Sequence, residues 1–224
     1  MRTCLGHRSS SFLSAVAATL LLVAATGDAR AQASLPTSLN AQLLVAARHG
    51  EMATIERVLA QGAAPNSRNR LGKTPLLMAS EKGNMALAER MLGAGADVNL
   101  ASLEQVTPLM AAAYGGHGAL VRRLLKAGAG VDARDRMHKP AMVYAAGLGH
   151  IDVMDALVQG GADVNAVHEH QLTALMWAAG QGHAGAARWL REHGARLDAR
   201  DDRGLTALEI ARQAGHTPVV QALE

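Results

Sequence analysis

The sequence predicts an all-α fold, a solenoid of helix-turn-helix units stacked side by side and joined by short β-hairpin-like loops. Three observations carry that prediction. Gly50, Gly83, Gly116, Gly149, Gly182 and Gly215 follow one another at a spacing of 33 residues, and so do Ala46, Ala79, Ala112, Ala145, Ala178 and Ala211. A second glycine series at the same spacing runs through Gly62, Gly95, Gly128, Gly161 and Gly194. Finally, the chain is 49% hydrophobic but only 2% aromatic, so its core must come from Ala, Leu, Val and Met. That composition suits closely packed helices better than sheets, which favour β-branched and aromatic residues. A fixed period of this length marks a supersecondary unit that buries its apolar face only against its neighbours.

Taken in order, the first element is an export segment. Arg2, His7 and Arg8 precede an uncharged apolar run, Phe12 to Ala25. The run is short for a membrane span of about 20 residues and has the length of a signal-peptide core. Ala29-Arg30-Ala31 and Ala31-Gln32-Ala33 both fit the small-x-small cleavage pattern. Residues 1–33 are therefore read as a Sec-type signal cleaved after Ala31 or Ala33, with a periplasmic or secreted destination. Cys4, the only cysteine, lies in that segment. The mature chain then has no thiol and no disulfide, which suits an oxidising compartment. Of the net charge of +3, the segment holds Arg2, Arg8, Arg30 and Asp28, leaving about +1 for the rest. No concentrated basic stripe is present, so nucleic acid is not an expected partner.

The remaining residues, 34–224, divide into copies at 37–69, 70–102, 103–135, 136–168, 169–201 and 202–224. Four begin with a capping signal: Thr74, Thr107, Thr173 and Thr206 stand where a hydroxyl accepts from a free first-turn amide, whereas the first copy has Ala41-Gln42 there, as a capping repeat would. Pro75 and Pro108 follow at the first helical position, where a missing N–H costs nothing. A short apolar helix runs to the periodic glycine, whose freedom at positive φ permits a tight turn. A second helix follows, apolar at helical spacing, as in Leu120, Val121, Leu124 and Leu125. It ends at Gly95-Ala96, Gly128-Ala129 or Gly161-Ala162, and a loop with Asn66, Asn99, Asp132, Asn165 or Asp198 leads onward, a short side chain that bonds turn backbone. The fourth copy has Pro140 in place of Thr, so an irregular helix start is expected there.

The string T-P-L-x-x-A, then G-H, L-L and G-A-D-V-N at this spacing resembles the ankyrin repeat. The resemblance covers essentially the whole chain after residue 33, in about six copies. It departs at the position after T-P-L, where the family's usual His is Leu77, Met110, Val143, Met176 or Glu209. The resemblance implies a non-catalytic protein-interaction scaffold, monomeric, with binding on the concave face and loop tips and no cofactor. It also leaves open a role in stress protection or as an immunity protein neutralising a toxic effector.

Catalytic patterns are missing: there is no nucleophile motif and no phosphate-binding glycine loop, and the glycines are accounted for by one period. His117, His150, His183 and His216 follow the periodic glycine one per layer, too far apart to share an ion when helices pack at about 8–10 Å. They are expected to bond backbone at the inter-helix turn. His138, His168 and His170 lie near one another in the loops and form the one set that suggests a metal; the default for them is a solvated loop tip, and no metal residue is assigned. Asp198 to Asp202 lacks the alternation of a calcium loop and reads as a turn.

Two groups of residues are candidates for partner binding. One inner-helix position carries Met78, Tyr144 and Trp177, and the position three later carries Tyr114. The resemblance places them towards the concave face. Tyr and Trp bury large area while keeping a polar handle, which makes them common interface anchors. The alternative, that Tyr144 and Trp177 are half-buried packing residues, stays open. Gly147 and Gly180 beside them would leave a shallow groove. The second group is the variable loop tips, including Lys73, Lys139 and Gln171, on a frame that does not vary.

Overall fold

The computed structural model describes residues 38–224, so the expected export segment and its cleavage sites lie outside the described residues. Twelve α-helices form six antiparallel pairs among them: α1 (Leu39–His49) with α2 (Met52–Ala60), α3 (Pro75–Lys82) with α4 (Met85–Gly93), and α5 (Pro108–Tyr114) with α6 (Gly118–Lys126). Then come α7 (Ala141–Leu148) with α8 (Ile151–Gln159), α9 (Ala174–Gly180) with α10 (Ala184–Glu192), and α11 (Ala207–Gln213) with α12 (Thr217–Leu223). A single 3₁₀ turn, Glu169–Gln171, precedes α9, and the described residues contain no strand. The odd-numbered helices stack on one another in a continuous inner row, and each is backed by its even-numbered partner. This is the predicted solenoid.

The periodic alanines explain the close stacking. Ala46, Ala79, Ala112, Ala145, Ala178 and Ala211 all have no exposed surface. A methyl group there lets successive inner helices approach, and Leu76, Leu109, Leu124 and Leu157 fill the space towards the outer row. A larger residue there would overpack a site with no exposed surface.

Local signals set the helix starts. Thr74 Oγ1 accepts from Leu77 N at 3.1 Å, and Thr107, Thr173 and Thr206 do the same for Met110, Met176 and Glu209 at 3.3 Å. In the last copy Glu209 completes a capping box by accepting from Thr206 N at 2.7 Å. Pro140 offers no side-chain cap, and Val143 N bonds Pro140 O at 3.2 Å, an i→i−3 bond where Met78, Ala111, Trp177 and Ile210 make i→i−4 bonds to the capping Thr carbonyl. The irregular start expected there is this tighter first turn, although α7 still begins at the periodic position.

The periodic glycines close the turns, all at positive φ, for example +71° at Gly116. His117, His150 and His216, each after a periodic glycine, reach across to the preceding copy. His150 Nε2 lies 3.2 Å from Tyr114 O, His216 Nε2 3.1 Å from Gly180 O, and His117 Nε2 3.4 Å from Glu81 O. These are carbonyls at the ends of inner helices, so the imidazoles satisfy acceptors the helices leave unpaired. The recurring Asn also works between copies. Asn99 accepts from Gly130 N at 2.9 Å and donates to Gly128 O at 3.1 Å, while Asn165 accepts from Arg196 N at 2.8 Å and donates to Gly194 O at 2.9 Å.

The hairpin loops follow one rule with one break. Asn69, Asp135 and Asp201 each accept two loop amides at 2.9 Å, holding the loop closed. Ser102 at the same position accepts one, from Val106 N at 3.3 Å. Adjacent loops join through Leu103 N to Leu71 O, Arg136 N to Glu104 O, and Asp202 N to His170 O, at 3.0, 3.1 and 3.1 Å. The fourth loop, before α9, has His168 at the holding position, and an imidazole does not reach the loop amides in this way. The bond from Glu169 N to Met137 O that the pattern requires is absent. The loop instead forms the 3₁₀ turn, with both His170 (φ +57°) and Gln171 (φ +56°) left-handed.

Candidate partner-binding groove

The inner helices bring three aromatic side chains to one surface. Tyr114 ends α5, Tyr144 lies midway along α7, and Trp177 midway along α9. Tyr114 is 60% exposed, and its ring meets that of Tyr144 edge-on, with centroids 5.7 Å apart at 76°. That is a favoured aromatic geometry. The Tyr144 hydroxyl donates to Asp135 Oδ2, and Asp135 is itself fixed by two loop amides. Burial, and then the carboxylate that accepts its proton, pushes the Tyr144 phenol above its ordinary pKa. Tyr144 is therefore a neutral hydrogen-bond donor held in one rotamer.

Lys139 completes the wall. Its ammonium sits 4.5 Å from the Trp177 ring centroid, a cation–π contact. Tyr114, Lys139, Val143, Tyr144, Gly147, Leu148, Trp177 and Gln181 enclose a groove of about 220 Å³. Gly147 opens it, since a methyl added there would lie 3.9 Å from Trp177 Cε3, inside the groove. A second hollow of about 450 Å³ lies across the two tyrosines, with Lys73, Glu81, Val106 and Met110 on its lining. Lys73 Nζ and Glu81 Oε1 are 2.6 Å apart there. A third, of about 210 Å³, lies on the loop side between Met137, Lys139, His168, Leu172 and Trp177. Lys139 and Trp177 line both the first and the third, so they form the partition between groove and loop cleft.

The structure thus gathers Tyr114, Tyr144, Trp177, Lys139 and Lys73 around connected hollows. Met78 is 7% exposed and packs in the core. Gln171 stands exposed at its loop tip and is not among the residues lining these three hollows. Asp135, which orients Tyr144, was not singled out by sequence. Its signal was the series Asn69, Ser102, Asp135, His168 and Asp201, legible only once the loop amides are seen to need an acceptor.

The three loop histidines do not converge. His138 Nε2 is 3.8 Å from Glu169 Oε1, His170 Nδ1 is 3.2 Å from Asp202 Oδ2, and His168 is buried with neither ring nitrogen bonded. Burial, and then the nearby Arg134 charge, lowers the His168 pKa, so the ring is neutral. Among the described residues, no group of three or more His, Cys, Asp or Glu is placed to hold a metal ion. No described helix is long and apolar enough to cross a membrane.

No curated protein is significantly similar to the chain in sequence. The family model for ankyrin repeats, which describes three copies at a time, matches residues 43–135, 78–168 and 142–223. These overlapping matches span all six helix pairs. Ankyrin repeats form protein–protein interaction scaffolds and are generally non-catalytic. From its period, its helix pairs and this match, the chain belongs to the ankyrin-repeat family.

Proposed function

We propose that the protein is a periplasmic binding scaffold whose partner docks in the groove of Tyr114, Tyr144 and Trp177, with the adjacent loop tips at the rim. The observation that carries this reading is the convergence of three of the four aromatic residues beyond the export segment on one open surface, next to Gly147. The fourth, Trp189, stacks on His193, the residue that caps its helix, with centroids 3.7 Å apart. A groove already held by Asp135 and Lys139 loses little side-chain freedom on binding, which favours affinity. The periplasmic setting rests on the apolar run and small-residue sites of residues 1–33, and a place in stress protection rests on family resemblance.

The test is crosslinked capture from periplasmic extract, with the native protein beside a Tyr144→Ala/Trp177→Ala variant of matched thermal stability. A protein retained by the native form and lost by the variant supports the groove. Equal retention moves the site to the loop tips or the outer helices. No specific retention by either form overturns the scaffold reading.

A further inference from the structure

Lys139 stands out by the charge it leaves unanswered. The other lysine on the three hollows, Lys73, has an anionic partner, Glu81 at 2.6 Å. Lys139 has only the π face of Trp177. In the groove it is the sole charged residue, among Tyr114, Val143, Tyr144, Leu148 and Trp177. A cation on an apolar wall interacts more strongly with an incoming anion than one in open solvent.

The broken loop ladder adds a second, independent feature at the same place. Where Glu169 N fails to meet Met137 O, the cleft opens directly behind Lys139 and Trp177. Its walls include the apolar side chains of Met137 and Leu172. His168, 9% exposed and with both ring nitrogens unpaired, lines it too. In three other copies an Asx side chain holds this loop with two bonds. A local rule broken at a cost, beside an open groove, is the pattern of a functional position.

We infer that the groove is built for an acidic segment of the partner, with an Asp or Glu carboxylate on Lys139 and a neighbouring apolar side chain against Trp177 in the loop cleft. The inference rests on the groove being the binding face and adds the chemistry of what it receives. The carboxylate takes the charge of Lys139, the lysine on these hollows with no anionic partner, and the apolar group covers Met137, Leu172 and the Trp177 ring.

The probe is 4-phenylbutyrate, which joins a carboxylate to an apolar body, with 4-phenylbutylamine as its charge-reversed counterpart. Each is titrated into the purified protein while the indole resonances of Trp177 and Trp189 are followed by NMR. Small ligands of this kind bind with Kd on the order of 1 mM. The carboxylate should shift Trp177 saturably, leave Trp189 in place, and bind more tightly than the amine. Lys139→Gln should weaken the carboxylate about threefold to fivefold, the range of a partly exposed ion pair, and added salt should do the same. Lys139→Arg should retain it.

Equal binding of the two probes, or no effect of Lys139→Gln, overturns the acidic-segment inference while leaving an apolar groove in place. Trp177 unmoved by both probes, or no more moved than Trp189, overturns it as well and counts against the groove itself. Capture lost in the Tyr144→Ala/Trp177→Ala variant but unaffected by Lys139→Gln would likewise sink the charge assignment and spare the scaffold reading.

Discussion

Replacing His168 by Asp should stabilise the protein, although it removes a buried ring. At the equivalent positions Asp135 and Asp201 each accept two loop amides at 2.9 Å, and His168 accepts none. Recovering a bond to His170 N is worth about 1 kcal/mol, while Leu172 N already donates to Glu169 O at 3.2 Å and would only exchange acceptors. Relief of the unpaired ring nitrogens adds to this, while lost apolar packing of the imidazole subtracts an amount on the order of 1 kcal/mol. The net gain is about 1 kcal/mol, or a rise in Tm of about 2–4 °C for a chain of this size.

The gain should grow as pH falls, and the sign follows from linkage. The folded pKa of His168 lies below its ordinary 6.5, so the unfolded chain takes up its proton first. Native stability is therefore highest above about pH 6.5 and declines as pH drops from there towards the folded pKa. The variant has no such group, so the Tm difference should widen between about pH 7 and about pH 5. Thermal unfolding by circular dichroism at both pH values measures it. A Tm that is unchanged or lowered, with no pH dependence of the difference, would refute the idea that His168 is an uncompensated defect in the loop series.

Other substitutions test other layers of the fold. Thr107→Ala removes the cap on Met110 N and should cost about 1 kcal/mol, read as a lower urea midpoint with an unchanged m-value. Asp132→Asn supplies the amide that Asn99 and Asn165 use to bridge copies, and should raise stability by about 0.5–1.5 kcal/mol in the same assay. Gly116→Ala places a methyl 2.9 Å from the His150 ring at φ +71°, and should lower Tm by about 2–6 °C through strain of about 1–2 kcal/mol. Arg90→Ala breaks the exposed pair with Glu56 on the outer row and should change stability by less than about 1 kcal/mol. A large loss there would mean that the outer row depends on its ion pairs.

The fold was legible because its signals are local and repeated. Thr107-Pro108, Gly116 and Ala112 each specify one feature, a cap, a turn or a close contact, and the period copies that feature along the chain. The histidines after the glycines were also readable as backbone partners, though not that their carbonyls belong to the preceding copy. The groove was legible only in outline. Tyr144 and Trp177 could be placed on a face by register, but the Asp135 contact and the Lys139 stack depend on loop conformation across copies. Met78 shares their register and is nonetheless buried, because packing within its own layer, not period, decides exposure. The break at His168 was hidden for the same reason: a histidine in a loop reads as polar and solvated until the loop amides around it are accounted for.

The most direct test of the groove is the affinity of the captured partner for the native protein and for Trp177→Ala, measured by titration calorimetry at equal folded fraction. An anchor residue at the centre of an interface predicts a loss of at least about 2 kcal/mol, or roughly thirtyfold in Kd. An unchanged Kd, with Trp177→Ala still folded, would contradict the assignment of the groove as the binding face.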